Sequence, residues 1–263
     1  MDTASSERAP PPAGTRENGG QISTAISGIL AHLQGRRLQP GDRLPSERDL
    51  AERLGVGRNA VREALAILTI LRVVDSRPNS GIYLRHIARD SSFEALVMLA
   101  DMGAVPTPTE VAETMEVRAH LEVLAVGLAC QRRTEANLEQ LEAVLARTRT
   151  LLSEGGNIAE VDTEFHVALV DATHNSVLVR VLNAFYQLTA RRRYVLFQDP
   201  AQAAASEREH CQLMEYIRSR DAVRAQALIL NHMQRARRYW SNVLGGSKAA
   251  PVPANPPTMD GTP

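Results

Sequence analysis

Apolar positions in this chain recur mostly at the three-to-four-residue spacing of helices. Ile22, Ile26, Ile29, Leu30 and Leu33 share one helical face, and that helix ends before the Pro-Gly loop of LQPGDRLP. Ser46 then opens a second helix, its hydroxyl placed to cap free backbone N–H groups and Asp49 near the acid position of a capping box. Gly55-Val56-Gly57 stops that helix early, and a third begins at once with Arg58. Two short helices separated by three residues including glycine make a helix-turn-helix. In the third helix Val61, Ala64, Leu65 and Leu68 form an inward stripe, while Arg58, Asn59 and Arg62 occupy the adjoining side. Val73-Val74-Asp75-Ser76 and Ile82-Tyr83-Leu84 read as two strands around Arg77-Pro78-Asn79-Ser80-Gly81. The product is a hairpin wing whose tip carries an Arg and a Gly able to approach a nucleic-acid backbone closely.

From Ser91 to about Trp240 the spacing predicts successive helices over 91–102, 109–131, 134–154, 157–174, 176–197, 203–219 and 221–243, with breaks at Pro106/Pro108, Gly155-Gly156, His174-Asn175 and Asp199-Pro200. Stripes such as Leu121, Leu124, Ala125 and Leu128 mark each longer helix for one side of a bundle. The expected fold class is therefore mainly α. A winged helix-turn-helix of three helices plus a β-hairpin occupies 21–88, and an antiparallel all-α bundle of six to seven helices occupies 89–244. Residues 1–20 and 245–263, rich in Pro, Gly, Ser and charge, are expected to be disordered tails.

Composition sharpens this division. The net charge is zero, yet residues 21–87 hold ten Arg, no Lys and six acidic residues, a balance of +4. Beyond Ala88 there are 18 basic and 21 acidic residues, or −3. A basic first domain on a mildly acidic body points the first domain toward a polyanion. The two cysteines, Cys130 and Cys211, make neither a disulfide framework nor a Cys-based zinc site. The first residues lack a hydrophobic secretion segment, and no apolar stretch reaches the roughly 18 residues that cross a membrane. A cytoplasmic protein is expected.

One constellation in the bundle carries chemistry. Asp162 and His166 are four apart in VDTEFHVALV and project from one face of a helix. His210 and His232 are separated by a break near Arg220-Asp221. At about 1.5 Å per residue each lies roughly 15 Å from that turn, so they stand level across an antiparallel pair. Three histidines and a carboxylate suit a divalent transition metal ion: zinc, nickel or manganese. His174 is a competing ligand about one turn further along its helix. Arg191-Arg192-Arg193 cannot point one way on a helix and reads as a solvated face.

The stretch PGDRLPSERDLAERLGVGRNAVREALAIL, followed by RPNSGIYL, resembles the GntR family of bacterial regulators. The resemblance implies DNA contact by Arg48 and by the start of the recognition helix, Arg58, Asn59 and Arg62, with Gly81 at the wing. Two positions depart from the family pattern: Gly57 stands where Ser or Thr is usual, and Arg72 replaces the usual Gly before the wing. The second half resembles the FadR subfamily with an FCD-type C-terminal ligand-binding domain. There D-x-x-x-H, E-H and a later His supply metal ligands, matching Asp162, His166, Glu209-His210 and His232. The R-x-x-L-E motif is matched by Arg118–Glu122, so Arg118 either reaches an effector carboxylate or pairs with Glu122. Asn175 occupies the family's Asn position, as a helix cap or an effector contact.

These readings describe a DNA-binding transcription regulator, a repressor by commonest family behaviour. Its palindromic double-stranded operator is bound by a homodimer and controlled by a small organic acid at the metal site. It is not expected to be an enzyme. The alternative is a metal-dependent hydrolase or oxygenase fused to a DNA-binding domain. Against that stands the lack of a general base: Glu164 is rotated about 200° from Asp162 on the helix.

Overall fold

The computed structural model describes residues 13–36, 38–102 and 106–245. It divides into two compact units, Met1–Met98 and Leu99–Pro263, placing the division ten residues beyond the expected start of the second domain. Among the described residues no helix is long and apolar enough to cross a membrane.

The first unit begins with α1 (Ala13–Gly35), followed by α2 (Glu47–Leu54) and α3 (Arg58–Ile70). Helix α1 starts at Ala13, directly after the Pro10–Pro12 run of the sequence. Residues 1–12 and 246–263 of the expected tails lie outside the described residues. Ile26, Ile29, Leu30 and Leu33 of α1 are buried with Leu50, Val61, Ala64, Leu65 and Leu68, so the stripes read from the sequence close one core. Ser46 caps α2 by accepting from the Asp49 N–H at 3.2 Å, and its own hydroxyl donates to the Asp49 carboxylate at 2.8 Å. Asp49 thus returns to the serine it caps with. Gly55 ends α2 at φ 66°, a left-handed conformation that glycine adopts without a Cβ penalty.

The wing pairs β1 (Val74–Arg77) with β2 (Gly81–Leu84) antiparallel, in the register Val74 with Leu84 and Arg77 with Gly81. Residues 41–44 lie along the outer edge of β2, where Leu44 N–H donates to Ile82 O and Leu84 N–H donates to Asp42 O. Gly81 has φ 121°, and a Cβ there would lie 2.6 Å from Arg43 Nε; both facts favour glycine. A single helical turn, α4 (Ile87–Asp90), and α5 (Phe93–Asp101) complete this stretch.

The second unit is all helical: α6 (Pro108–Arg132), α7 (Glu135–Ser153), α8 (Ala159–Asp171), α9 (Ser176–Leu196), α10 (Pro200–Arg218) and α11 (Ala222–Gly245). Side-chain caps set several starts. Thr107 and Glu110 form a capping box at α6, and Thr134 and Asn137 form another at α7. Helix α8 packs against α6, α7 and α9, while α11 lies along α6 and α10. Phe165, Leu169, Leu182, Leu213, Met214, Ile217 and Ile229 fill one core region. Met115, Ile158, Phe197, Met233 and Trp240 fill a second. The polar centre lies among these helices.

Candidate functional site

Helix α8 builds the first half of the centre because Asp162 and His166, one turn apart, both face inward; they are 3% and 0% exposed. His210 on α10 and His232 on α11 arrive from the far side of the 219–221 turn, as the level placement across that turn predicts. One ligand atom from each of the four residues lies within 4.8 Å of every other. Phe165 stacks on the His210 ring at a centroid distance of 4.1 Å and fixes its plane.

Polar satisfaction inside this cluster is incomplete, at both ring nitrogens of His166 and at Nε2 of His210. Nε2 of His166 and Nε2 of His210 are buried without hydrogen-bond partners. They stand 3.9 and 3.7 Å from the Asp162 oxygens, beyond hydrogen-bond reach. Buried polar atoms without partners are rare in native interiors, and a bound ion is one of their ordinary explanations. Three imidazoles and a carboxylate gathered this closely are a donor set that fits a divalent transition metal.

The surrounding groups orient these donors, as outer-shell partners do around metal ligands. Ser206 donates to Asp162 Oδ1 at 2.8 Å, and Arg193 Nε lies 3.1 Å from Oδ2. His232 Nδ1 meets Glu209 Oε2 at 2.6 Å, leaving Nε2 for the centre. Glu209 is in turn gripped by Arg235. Glu122 is fully buried; its Oε1 accepts from Arg118 Nη2 at 3.1 Å and lies 3.2 Å from His166 Nδ1. Burial alone would raise the Glu122 pKa, but His166 and Arg118 hold it down at about 2. Glu209 is likewise held at about 2 against its burial by His232 and Arg235. Asp162 is lowered despite burial by His210, His166 and Arg193. Burial lowers His210 and His232, favouring the neutral imidazoles that bind metals.

A cavity of about 30 Å³ adjoins the cluster, lined by Asp162, His166, His232, Arg118, Arg192 and Trp240 among others. Arg118 pairs with Glu122 and also lines the cavity. The solvated-face reading of Arg191-Arg192-Arg193 is corrected. Arg193 is 6% exposed and engaged with Asp162, and Arg192 lines the cavity. Burial and the neighbouring Arg118 lower the Arg192 pKa to about 10. The signal in the sequence was simple: residues at 189, 192, 193 and 196 share a helical face, and Thr189 and Leu196 belong inside.

Of the two roles open to Asn175, the structure shows the helix cap. Its carboxamide caps α9, accepting from the Val177 and Leu178 N–H groups at 3.1 Å each. It lies about 21 Å along the helix from Thr189, at 1.5 Å per residue, and does not line the cavity. His174 is equally remote, 3.2 Å from Asn137 on the exterior. Glu164 pairs with Arg147 on the outer face of α8.

In the first unit, Arg48, Arg58, Asn59 and Arg62 are all exposed. Arg48 Nε stands 3.8 Å from Glu52, and Arg62 Nε 3.3 Å from Glu47. Such exposed pairs exchange readily for other partners. Gly57 caps α3 without a side-chain bond. Gly81 sits at the base of the wing tip, where Arg77 lies 4.3 Å over the Tyr83 ring.

A winged helix-turn-helix beside a helical bundle with a buried polar centre defines a DNA-binding regulator with an effector-binding domain. Residues 22–84 match the model of the bacterial regulatory proteins of the gntR family, and residues 113–235 match the FCD domain. The chain belongs to the GntR family, in its FCD-bearing branch. It is 30% identical over 206 residues to the HTH-type transcriptional regulator LutR of Bacillus subtilis (strain 168), covering 76% of this chain and 92% of the relative. It is 25% identical over 215 residues to the Glc operon transcriptional activator of Escherichia coli (strain K12), covering 78% and 83%. Among solved structures, Lar, described as controlling the Listeria monocytogenes agr system, has a TM-score of 0.62 at 18% identity, with 84% and 97% of the two chains covered. These relatives are transcription regulators, and the enzyme alternative is set aside.

Proposed function

We propose that this regulator binds a palindromic operator as a homodimer and that a small organic acid, received beside a divalent transition metal, controls that binding. The observation that carries the reading is the pair of unpartnered imidazole nitrogens on His166 and His210, buried beside Asp162 and His232. Asp162, His166, His210 and His232 would hold the ion. When bound, it supplies open coordination positions for a carboxylate. Arg118 stands at the cavity wall as an anchor for that acid, with Glu122 restraining its guanidinium.

On the DNA side, Arg58, Asn59 and Arg62 enter the major groove at the start of α3. Arg48 contacts phosphate, and Gly81 lets the wing approach the backbone. Two copies are required for two half-sites about one helical turn or a multiple apart. Val117 and Leu124 on α6, 50% and 49% exposed, and Val223 and Leu230 on α11, 79% and 40% exposed, support association of copies. Each pair is seven residues apart and shares a helix face. Repression, released by the acid, is the proposed direction. A soluble regulator of this kind acts in the cytoplasm, where the DNA is.

The test is operator footprinting with metal-loaded protein and a panel of small organic acids, alongside elemental analysis of wild type, His210→Ala and His232→Ala. The reading expects bound metal in wild type only and a footprint that changes with an acid. A footprint indifferent to every acid with metal present overturns the sensing role. Unchanged metal content in both variants overturns the ligand set.

A further inference from the structure

Charges around the cavity are matched one to one, with a single exception. Arg118 is paired with Glu122, Arg193 with Asp162, and Arg235 with Glu209. Arg192 also lines the cavity, and no carboxylate among the described residues forms an ion pair with it. Its Nη2 is buried and has no hydrogen-bond partner. Glu110 is near enough to be felt by Arg192, but its carboxylate is engaged by the Thr107 N–H and hydroxyl at the start of α6, at 2.7 and 2.9 Å. Thr189, one turn back on α9, turns its hydroxyl to the Phe185 carbonyl at 2.8 Å.

An unpaired guanidinium in a confined space is costly, and its fork matches a carboxylate in bidentate fashion. Resting on the metal-dependent acid-sensing reading above, we infer that Arg192 is a second anion subsite, so that the acid this protein takes is a short-chain dicarboxylate. One carboxylate lies toward the Asp162–His166–His210–His232 centre and the other is received by Arg192. Charge balance points the same way. With the three pairs neutral, Arg192 and a divalent ion leave an excess of positive charge that a monocarboxylate offsets less fully than a diacid. The open space is about 30 Å³, room for roughly two waters, so even the shortest diacid enters only as the lining side chains move apart.

The experiment is calorimetric titration of the full-length, metal-loaded protein with malonate and succinate, each against its chain-matched monoacid, propionate or butyrate. The same titrations use Arg192→Gln and Arg192→Lys, with metal content and thermal midpoint recorded for each. The inference expects at least one diacid to bind about tenfold or more tightly than its monoacid. Arg192→Gln should remove that advantage while leaving monoacid affinity and metal content unchanged, and Arg192→Lys should keep part of it. Equal affinity for diacids and monoacids overturns the second subsite alone, because acid sensing then still stands. A diacid advantage that persists in a folded Arg192→Gln also overturns it. If no acid of either kind binds the loaded protein, both readings fall. A glutamine variant that loses metal or fold transfers the decision to Arg192→Lys, where complete loss of the diacid advantage, with metal retained, overturns the inference.

Discussion

Nδ1 of His232 lies 2.6 Å from Oε2 of Glu209, on the preceding helix of the bundle. The contact commits Nδ1 to the carboxylate and frees Nε2 for the centre, so Glu209 would act on a metal bound there through a ligand's tautomer. Replacing Glu209 with Gln should weaken metal binding by about 10- to 100-fold, as losses of such partners do, with the helical fold retained. Competition against a metallochromic chelator measures it. An affinity within twofold of wild type would show that the contact is only structural.

The recognition surface allows a clean separation of stability from binding. Arg62 and Glu47 form an exposed pair at 3.3 Å, worth about 0–1 kcal/mol. Arg62→Ala should therefore shift the unfolding midpoint little. A lost base contact costs about 1–3 kcal/mol of discrimination. Specific operator binding by Arg62→Ala or Arg58→Ala should consequently fall toward the non-specific level in a gel-shift titration at fixed salt. Loss of helicity by circular dichroism instead would assign these residues a structural role.

Arg72 occupies a left-handed conformation, φ 58°, where the family usually has glycine. A side chain there costs about 1–2 kcal/mol relative to ordinary backbone, partly offset by the entropy that glycine adds to the unfolded chain. Arg72→Gly is expected to stabilise by about 0.5–1 kcal/mol, read as a higher midpoint in urea. A lower midpoint would mean the Arg72 side chain contributes more than its backbone costs.

Cys130 is fully buried, and desolvation, helped by Asp221, pushes its thiol up to about 11 from an ordinary 9. A raised acid keeps its proton in the native state between those values while the unfolded chain loses it. Stability from this group is thus complete below pH 9 and declines as pH rises toward 11. Cys130 should resist a disulfide reagent at pH 8 unless denaturant is added, since thiolate is the reacting form. Prompt labelling in native buffer would contradict the buried, protonated thiol.

Much of this molecule could be read from residue spacing. The bundle helices start and stop within a few residues of their Pro, Gly and Asn breaks, because caps and prolines act locally. Asp162, His166, His210 and His232 were found by helical arithmetic, which works when a short turn forces two helices antiparallel. The single turn α4 was missed because four residues give no periodicity. Arg192 and Arg193 escape the sequence because charge alone says exterior, and only the packing of the helices shows Asp162 beside Arg193 and a cavity beside Arg192. Asn175 illustrates the opposite limit, since an N-cap and a ligand contact call for the same residue type and only position separates them.

Trp240 lines the cavity beside the metal-ligand cluster, and it is the chain's single tryptophan. All indole emission from this protein therefore originates at the wall of this cavity, with no background from the DNA-binding unit. Loading with an ion or entry of an acid, as proposed, would alter that one fluorophore's surroundings. The regulator carries a built-in optical reporter, and its occupancy can be followed in unlabelled protein, free or on DNA.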